Sequence, residues 1–353
     1  MPKNIALVCL TNIGDGVLLS PCISALTENR PDLNIVLVAK PSVCELYGHD
    51  IRIKNFVPFT CSWFPGPEGL HDGLQGFYLT IATLRSLRCK VAFNTASDLR
   101  TNLLLRLAGV HHLMSAFGRG GNFLSTTIHA PNIVSQHEAE RQIELAEAFL
   151  SKKVGHYPLR IILGEDDINA GNSLFYECAV DKVPVIAMHP GANVPFKEWP
   201  VARYVDVAKN LIKERGYTVA VLGALGRETE IANKVVKEIG PGAVNLAGRT
   251  PVRTLLAFLG RCEIYIGNDS GPMHLAAAAG CPTIALFGAT NFQRFGPYME
   301  DHKRKIVVSN KFQLDTVDCA RSYGSDYMAT ISTEMVLEAT QTLLNSCADQ
   351  RAN

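Results

Sequence analysis

Short apolar, β-branched runs alternate with longer segments of helical periodicity along this chain, and that alternation leaves few folds open to it. In the first half, "NIALVCL" (4–10), "NIVLVA" (34–39) and "VAFNT" (91–95) read as buried strands. The second half restarts the pattern with "VPVIAMHPG" (183–191), "YTVAVLGA" (217–224), "AVNLAG" (243–248), "CEIYIGND" (262–269) and "PTIALFG" (282–288). Strands separated by helices pair in parallel, because the crossover needs a helix's length of chain. The sequence therefore predicts an α/β protein with two open parallel sheets, one per half.

A length of 353 residues agrees with two cores rather than one. The Pro-, Gly- and acid-rich stretch 155–173 marks the boundary. "GPEGLHDGLQGF" (66–77) reads as a glycine-rich loop, and "ISTEMVLEATQTLLNSC" (331–347) as an amphipathic helix capped by Ser332 or Thr333 with Met335, Val336, Ala339, Leu343 and Leu344 on one face.

A formal net charge of +1 argues against a broad nucleic-acid-binding face. Charge is nevertheless uneven. Between residues 51 and 120 the bases Arg52, Lys54, Arg85, Arg88, Lys90, Arg100, Arg106 and Arg119 outnumber the acids Glu68, Asp72 and Asp98. The ten cysteines are scattered without any Cys-x-x-Cys pair, which suits reduced, buried thiols. The N-terminal apolar run is too short for a signal peptide, no run is long enough to span a bilayer, and a cytoplasmic protein is expected.

Two nucleotide motifs are excluded. Gly14 and Gly16 begin a dinucleotide fingerprint, but Leu19 stands where its third glycine belongs and the second strand ends in Lys40 rather than an acid. No phosphate loop with Lys before Ser or Thr occurs, nor an Asp-x-Asp, and "HEAER" (137–141) lacks the second His of a zinc helix. No metal and no cofactor is expected.

"GNDSGPMHLAAAAG" (267–280) carries more chemistry than any other stretch. It places Asp269, Ser270 and Gly271 at a helix N-terminus beyond a strand's carboxyl end, with His274 in the next turn. There, free amides and the helix dipole favour a phosphate. Capping alone would explain Asp269 taken singly, whereas the whole cluster in one turn favours a ligand. "HPGANVPFKEWP" (189–200) follows a strand of the same half, with Gly191 allowing a close backbone approach and Lys197 placed to balance a diphosphate. Glu228 or Glu230, in the helix after "LGALG", suits either a ribose diol or the helix dipole. In the first half, Asp15 lies between two glycines after the first strand. With Ser20 and Pro21 opening the next helix, it is expected in a loop, as a carboxylate able to take a proton from a hydroxyl.

In that order these residues resemble the ADP-heptose-using lipopolysaccharide heptosyltransferases, glycosyltransferase family 9. "NIGDGVLLSPCISALTENRPD", "HPGANVPFKEWP" and "NLAGRTPVRTLLAFLGRCEIYIGNDSGPMHLAAAAGCPTIALFGAT" carry the likeness. The resemblance implies a GT-B fold, two Rossmann-like domains facing across a cleft: 1–165 for the acceptor, 166–328 for the nucleotide sugar, and a C-terminal helix, 329–353, returning to the first domain. It implies inversion without a metal. Asp15 would be the base, Lys197 the phosphate-binding lysine, and Asp269, Ser270, Gly271 and His274 the pyrophosphate site. Gly191, Ala192 and Asn193 would form the phosphate turn, where some members carry hydroxyl residues. Glu228 would hold the ribose, and Arg100, Arg119 and Arg141 are acceptor candidates. The expected partners are a nucleotide-sugar donor and a saccharide or glycolipid acceptor, with no nucleic acid. The helix faces do not separate a membrane-docking surface from ordinary ones, so peripheral association with the inner membrane face stays an open expectation. Still open also are another nucleotide sugar, a sugar-nucleotide epimerase, a protein or natural-product acceptor, and a non-catalytic nucleotide-sugar binding protein.

Overall fold

The computed structural model describes residues 3–60, 73–95, 98–116, 121–129, 136–179, 183–311 and 326–352. The chain divides into two units at 162/163, inside the stretch that composition marks. Residues just before the division are held on the first unit: Arg160 N donates to Ser20 Oγ at 3.1 Å, and Asn29 Nδ2 donates to Tyr157 Oη at 3.2 Å.

The first unit carries β1 (Asn4–Cys9), β2 (Asn34–Ala39), β3 (Ile53–Pro58), β4 (Val91–Asn94), β5 (His112–Ala116) and β6 (Thr127–His129). They form one parallel sheet in the order β3-β2-β1-β4-β5-β6. The second unit carries β7 (Val185–His189), β8 (Thr218–Val221), β9 (Ala243–Asn245), β10 (Ile264–Asn268), β11 (Thr283–Phe287) and β12 (Arg304–Val308), in the order β12-β11-β10-β7-β8-β9. Read from the other edge, this second order is the first repeated. In each unit the chain reverses its direction of travel across the sheet beside its first strand, between β1 and β4 and between β7 and β10. At such a point adjacent connections leave on opposite faces and open a crevice at the strands' carboxyl ends.

Most strands legible in sequence are buried along their length, β9 at the edge of the second sheet being the partly buried exception. The strands not legible include β3 and β12, edge strands whose alternation brings Lys54, Asn55, Arg304 and Lys305 into them, and the three-residue edge strand β6. An edge strand has no need of a continuous apolar run. Residues 73–77, expected in a loop, open the helix Gly73–Ser86, which buries Ile81 and Leu84 in the first core; residues 66–72 lie outside the described residues.

The C-terminal helix Thr333–Ala352 starts beside Ser332, whose Oγ accepts from Met335 N at 3.3 Å. It belongs to the second unit, which runs to residue 353. Val336, Leu343, Leu344 and Cys347 join Ile284, Leu286 and Val307 in one core. Met335, expected on the apolar face with them, is exposed instead.

Eight cysteines among the described residues, Cys9, Cys22, Cys44 and Cys89 in the first unit and Cys178, Cys262, Cys281 and Cys347 in the second, are buried. Burial pushes the Cys9 and Cys22 thiols up to about 12 and Cys44, Cys89 and Cys178 to about 11. Among the described residues no helix is long and apolar enough to cross a membrane.

Gly171, in the helix Glu165–Cys178, allows that helix to press on Val252–Leu259. A Cβ there would stand 2.5 Å from Ala257 Cβ and 2.8 Å from Phe258 N, a backbone atom that cannot swing aside. Gly171→Val is expected to lower stability by about 2 kcal/mol, read as a shift in the urea midpoint; an unchanged midpoint would refute this packing.

Candidate functional site

The carboxyl ends of β7 and β10 are tied together by one side chain. Asn268, fully buried as the last residue of β10, makes four hydrogen bonds. Its Nδ2 donates to the carbonyls of Pro190 (3.0 Å) and Gly191 (3.1 Å), and its Oδ1 accepts from Trp199 N (3.1 Å) and Tyr204 Oη (2.9 Å). All four partners lie in the turn after β7 or the helix that follows it, Val201–Arg215. The turn cannot form a regular ladder because Pro190 and Pro195 lack N–H donors, so Asn268 supplies the fixed points that secondary structure does not. Trp199, also buried, donates its indole N–H to Ile331 O at 2.9 Å and meets Tyr204 edge-on with ring centroids 4.9 Å apart.

With the turn pinned, Lys197 closes on Asp269 at 2.6 Å. Asp269 is nearly buried, and burial alone would push its carboxyl up. The Lys197 charge and hydrogen bond, with the Thr290 hydroxyl and His274 nearby, more than offset that and hold it below the usual carboxylate range. Beyond Asp269, Ser270 occupies the N-cap position of the helix Gly271–Ala278, with Pro272 in its first turn. The Ser270 side chain does not cap that helix. Its Oγ lies 3.2 Å from the Asn268 carbonyl and 3.2 Å from His189 Nδ1, so its single proton goes to one or the other. His274 is buried in the helix, and Ala276 and Ala277 pack inward beside it.

A second ionic group stands behind the turn. His189 Nε2 lies 3.1 Å from Glu228 Oε2, and the same oxygen accepts from Ala224 N at 2.7 Å. Glu228 sits in the first turn of the helix Arg227–Ile239. Its carboxyl is pulled down to about 2: burial opposes ionisation, but the bond and charge of His189, the Ala224 amide and the Arg227 guanidinium outweigh it. A Cβ on Gly191 would stand 2.7 Å from Glu228 Cδ. The close approach that glycine permits is thus to this carboxylate. Arg227 then joins the turn to the helix, donating to Glu198 Oε2 at 2.9 Å and to Ala192 O at 2.8 Å, while Ala192 N donates to Glu198 Oε1 at 3.0 Å.

Such an arrangement offers a helix N-terminus with a lysine beside it, at a topological switch point, which suits a phosphate. A profile of glycosyltransferase family 9 (heptosyltransferase) matches residues 82–321. The chain belongs to that family. It is 35% identical over 167 residues to the lipooligosaccharide heptosyltransferase 2 of Haemophilus influenzae, a match covering 46% of this chain and 47% of that one. The chain thus spans about half the length of such curated relatives. It is 26% identical over 363 residues to the lipopolysaccharide heptosyltransferase 3 of Escherichia coli K12, covering 94% of this chain and 95% of that one. The solved ADP-heptose lipopolysaccharide heptosyltransferase II of E. coli superposes with a TM-score of 0.78 at 21% identity, over 98% of this chain and 99% of that one. The fold is the family's GT-B fold, two parallel α/β units.

Of the residues singled out from sequence, Gly191, Lys197, Glu228, Asp269 and Ser270 are brought together at the β7 and β10 ends, with Gly271 and His274 in the adjoining helix; Ala192 is buried and Asn193 exposed. Asp15 departs from its expected setting. It lies in the first turn of a short helix, Ile13–Leu18, and not in a loop; its Oδ2 accepts from Asn12 N at 3.3 Å and it is half-buried. The glycines on either side do not break this helix because both are buried against the unit's core, where Gly16 O accepts from Tyr47 Oη at 2.7 Å. Arg141, an acceptor candidate from sequence, is buried and paired with Glu138 at 2.6 Å, one helical turn before it. Arg100 is exposed in the helix Leu99–Leu107, and Arg119 lies outside the described residues. His189 and Asn268 were missed. Their signal is a polar side chain ending an otherwise apolar strand.

Two outcomes test this geometry. Asn268→Ala would strip buried partners from Trp199 N, Tyr204 Oη and two carbonyls, and is expected to cost about 3 kcal/mol in urea unfolding. Because the Glu228 carboxyl is held down to about 2, its ionised form stabilises the fold above the ordinary carboxylate pKa, and that stability is lost as pH falls toward 2. Glu228→Gln should therefore be less stable than wild type at neutral pH by up to about 3 kcal/mol, with the gap closing between pH about 4.5 and about 2. Thermal unfolding across that range would read it, and a gap independent of pH would contradict the assignment.

Proposed function

We propose that this protein transfers heptose from ADP-heptose to a saccharide hydroxyl of a lipopolysaccharide core, with inversion and without a metal. The observation that carries the reading is the Lys197–Asp269 pair at the head of the helix Gly271–Ala278, where the chain crosses between β7 and β10. A diphosphate there would meet an ammonium and the positive end of the helix dipole, which together can take up the charge of a leaving ADP. Glu228, kept ionised behind Gly191, would accept hydrogen bonds from a ribose diol. The full-length relative and the family profile support the donor and acceptor class.

In the proposed step, Asp15 takes the proton of the acceptor hydroxyl as its oxygen forms a bond to the anomeric carbon. The bond from that carbon to the β-phosphate oxygen breaks on the opposite side, and ADP departs with the electron pair toward Lys197 and the helix end. Configuration inverts because there is one displacement. Ala192 and Asn193 contribute to the phosphate turn through its backbone, having no hydroxyl to offer.

Calorimetric titration with ADP, UDP and GDP tests the donor half. ADP is expected to bind selectively, in the presence of EDTA, and Lys197→Ala to weaken it by roughly tenfold or more, with Asp269→Ala also weaker. Preference for UDP or GDP would overturn the heptosyl assignment. Asp15→Ala tests the chemistry: turnover should fall by roughly a hundredfold or more while ADP affinity stays unchanged. Equal loss of both would give Asp15 a binding or structural role instead.

A further inference from the structure

His189 ends β7 almost wholly buried, with a hydrogen-bonding group opposite each ring nitrogen. Its backbone is held by pairing with Gly267 of β10 and by Tyr204 Oη, which donates to His189 O at 3.2 Å. Opposite Nε2, at 3.1 Å, stands Glu228 Oε2, which is ionised and already accepts from Ala224 N. A carboxylate has no proton to give, so Nε2 carries one. Opposite Nδ1, at 3.2 Å, stands Ser270 Oγ, which the helix Gly271–Ala278 does not use as a cap. One imidazole thus joins the carboxylate proposed for the ribose to the hydroxyl at the helix head proposed for the diphosphate.

The protonation of that ring decides what Ser270 can offer a ligand. With Nδ1 bare, the single hydroxyl proton is drawn to Nδ1 or to the Asn268 carbonyl, 3.2 Å from the same oxygen, and a phosphate oxygen arriving there meets lone pairs. With a solvent proton on Nδ1, the ring donates to Ser270 Oγ and the hydroxyl proton is released to point elsewhere. Charge favours the second state once a diphosphate arrives. Asp269, Glu228 and Glu198 set three carboxylates against the two cations Lys197 and Arg227. An imidazolium at 189 brings a third cation into the cluster, already paired with Glu228 as buried charge requires. We infer that His189 is a positioning residue for the donor's diphosphate: as an imidazolium it donates to Glu228 and Ser270 at once, and so turns the Ser270 hydroxyl toward a phosphate oxygen. The inference deepens the donor reading and rests on it.

Calorimetric titration of the full chain with ADP from pH about 6 to about 9 tests it. Wild-type affinity is expected to fall roughly tenfold as pH rises and the charge-assisted bond is lost. The last ionisation of the terminal phosphate of ADP works the other way, because added negative charge favours Lys197, so the sign separates the two. The other titratable groups on the elements around the ring are Tyr204 of the helix Val201–Arg215, Arg227 and Glu228 of the helix after β8, Tyr265 of β10, Lys197 and Glu198 in the turn after β7, and Asp269 and His274 beyond β10. Of these residue types only histidine ordinarily changes charge in that range, which makes His274 the rival. His189→Gln, which keeps a donor and loses the charge, should bind ADP more weakly at pH about 6 and show no pH dependence. Ser270→Ala should behave likewise, and the double variant should be no weaker than the weaker single one, since both remove the same interaction. Nitrogen-15 spectra of the His189 ring in the wild-type ADP complex at pH about 6 should show both nitrogens protonated, a readout that needs no variant to fold. A pH dependence that survives in His189→Gln would assign it to His274 and overturn the inference, as would additive losses in the double variant or a bare Nδ1 in the complex. Wild type that fails to bind ADP at every pH would overturn the donor reading itself, and this inference with it.

Discussion

One buried amide holds the second unit's crevice in shape. Parallel strands end without a partner for the chain that leaves them, and at the reversal between β7 and β10 two such exits lie side by side. Asn268 bridges them with every hydrogen-bonding position of its side chain in use or nearly so. Lys197 can reach Asp269 because the turn that carries it is fixed to the strand that delivers Asp269. A hydrophobic residue at 268 would fit the strand and lose the turn.

Around that anchor each ionic group has an internal partner: Lys197 with Asp269, Glu228 with His189, Arg227 with Glu198. These pairs keep buried charge affordable, since an unpaired one costs several kcal/mol. They also mean that the proposed diphosphate would exchange partners with Lys197 and not simply neutralise it. His189 ends β7, Lys197 and Glu198 lie in the turn that follows it, Asp269 comes directly after β10, and Arg227 and Glu228 open the helix after β8, so all six are attached at the carboxyl end of the sheet.

Much of this was legible in sequence because doubly buried strands advertise themselves. The runs at 34–39 and 282–288 are apolar throughout, and their boundaries match β2 and β11 almost to the residue. The clustering of polar residues at the ends of β7 and β10 was legible for another reason: a glycine, an acid, a hydroxyl and a proline between strand and helix have few joint uses. What escaped depends on partners distant in sequence. The charge of Arg141 suggested surface until Glu138 and the packing around it appeared. The setting of Asp15 depends on burial of Gly14 and Gly16, and periodicity alone does not show which unit takes the terminal helix. Asn268 and His189 escaped because a polar residue at a strand end usually faces water.

The buried cysteines give the two units a built-in clock. Only a thiolate reacts at a useful rate with a disulfide reagent, and these thiols are covered, with burial holding those of Cys9, Cys22, Cys44, Cys89 and Cys178 protonated. Each must therefore wait for its surroundings to open. Four sit in each unit. With Cys61 and Cys319, which lie outside the described residues, replaced, the order in which the others become labelled would chart which parts of the molecule open on their own and which only when a whole unit unfolds.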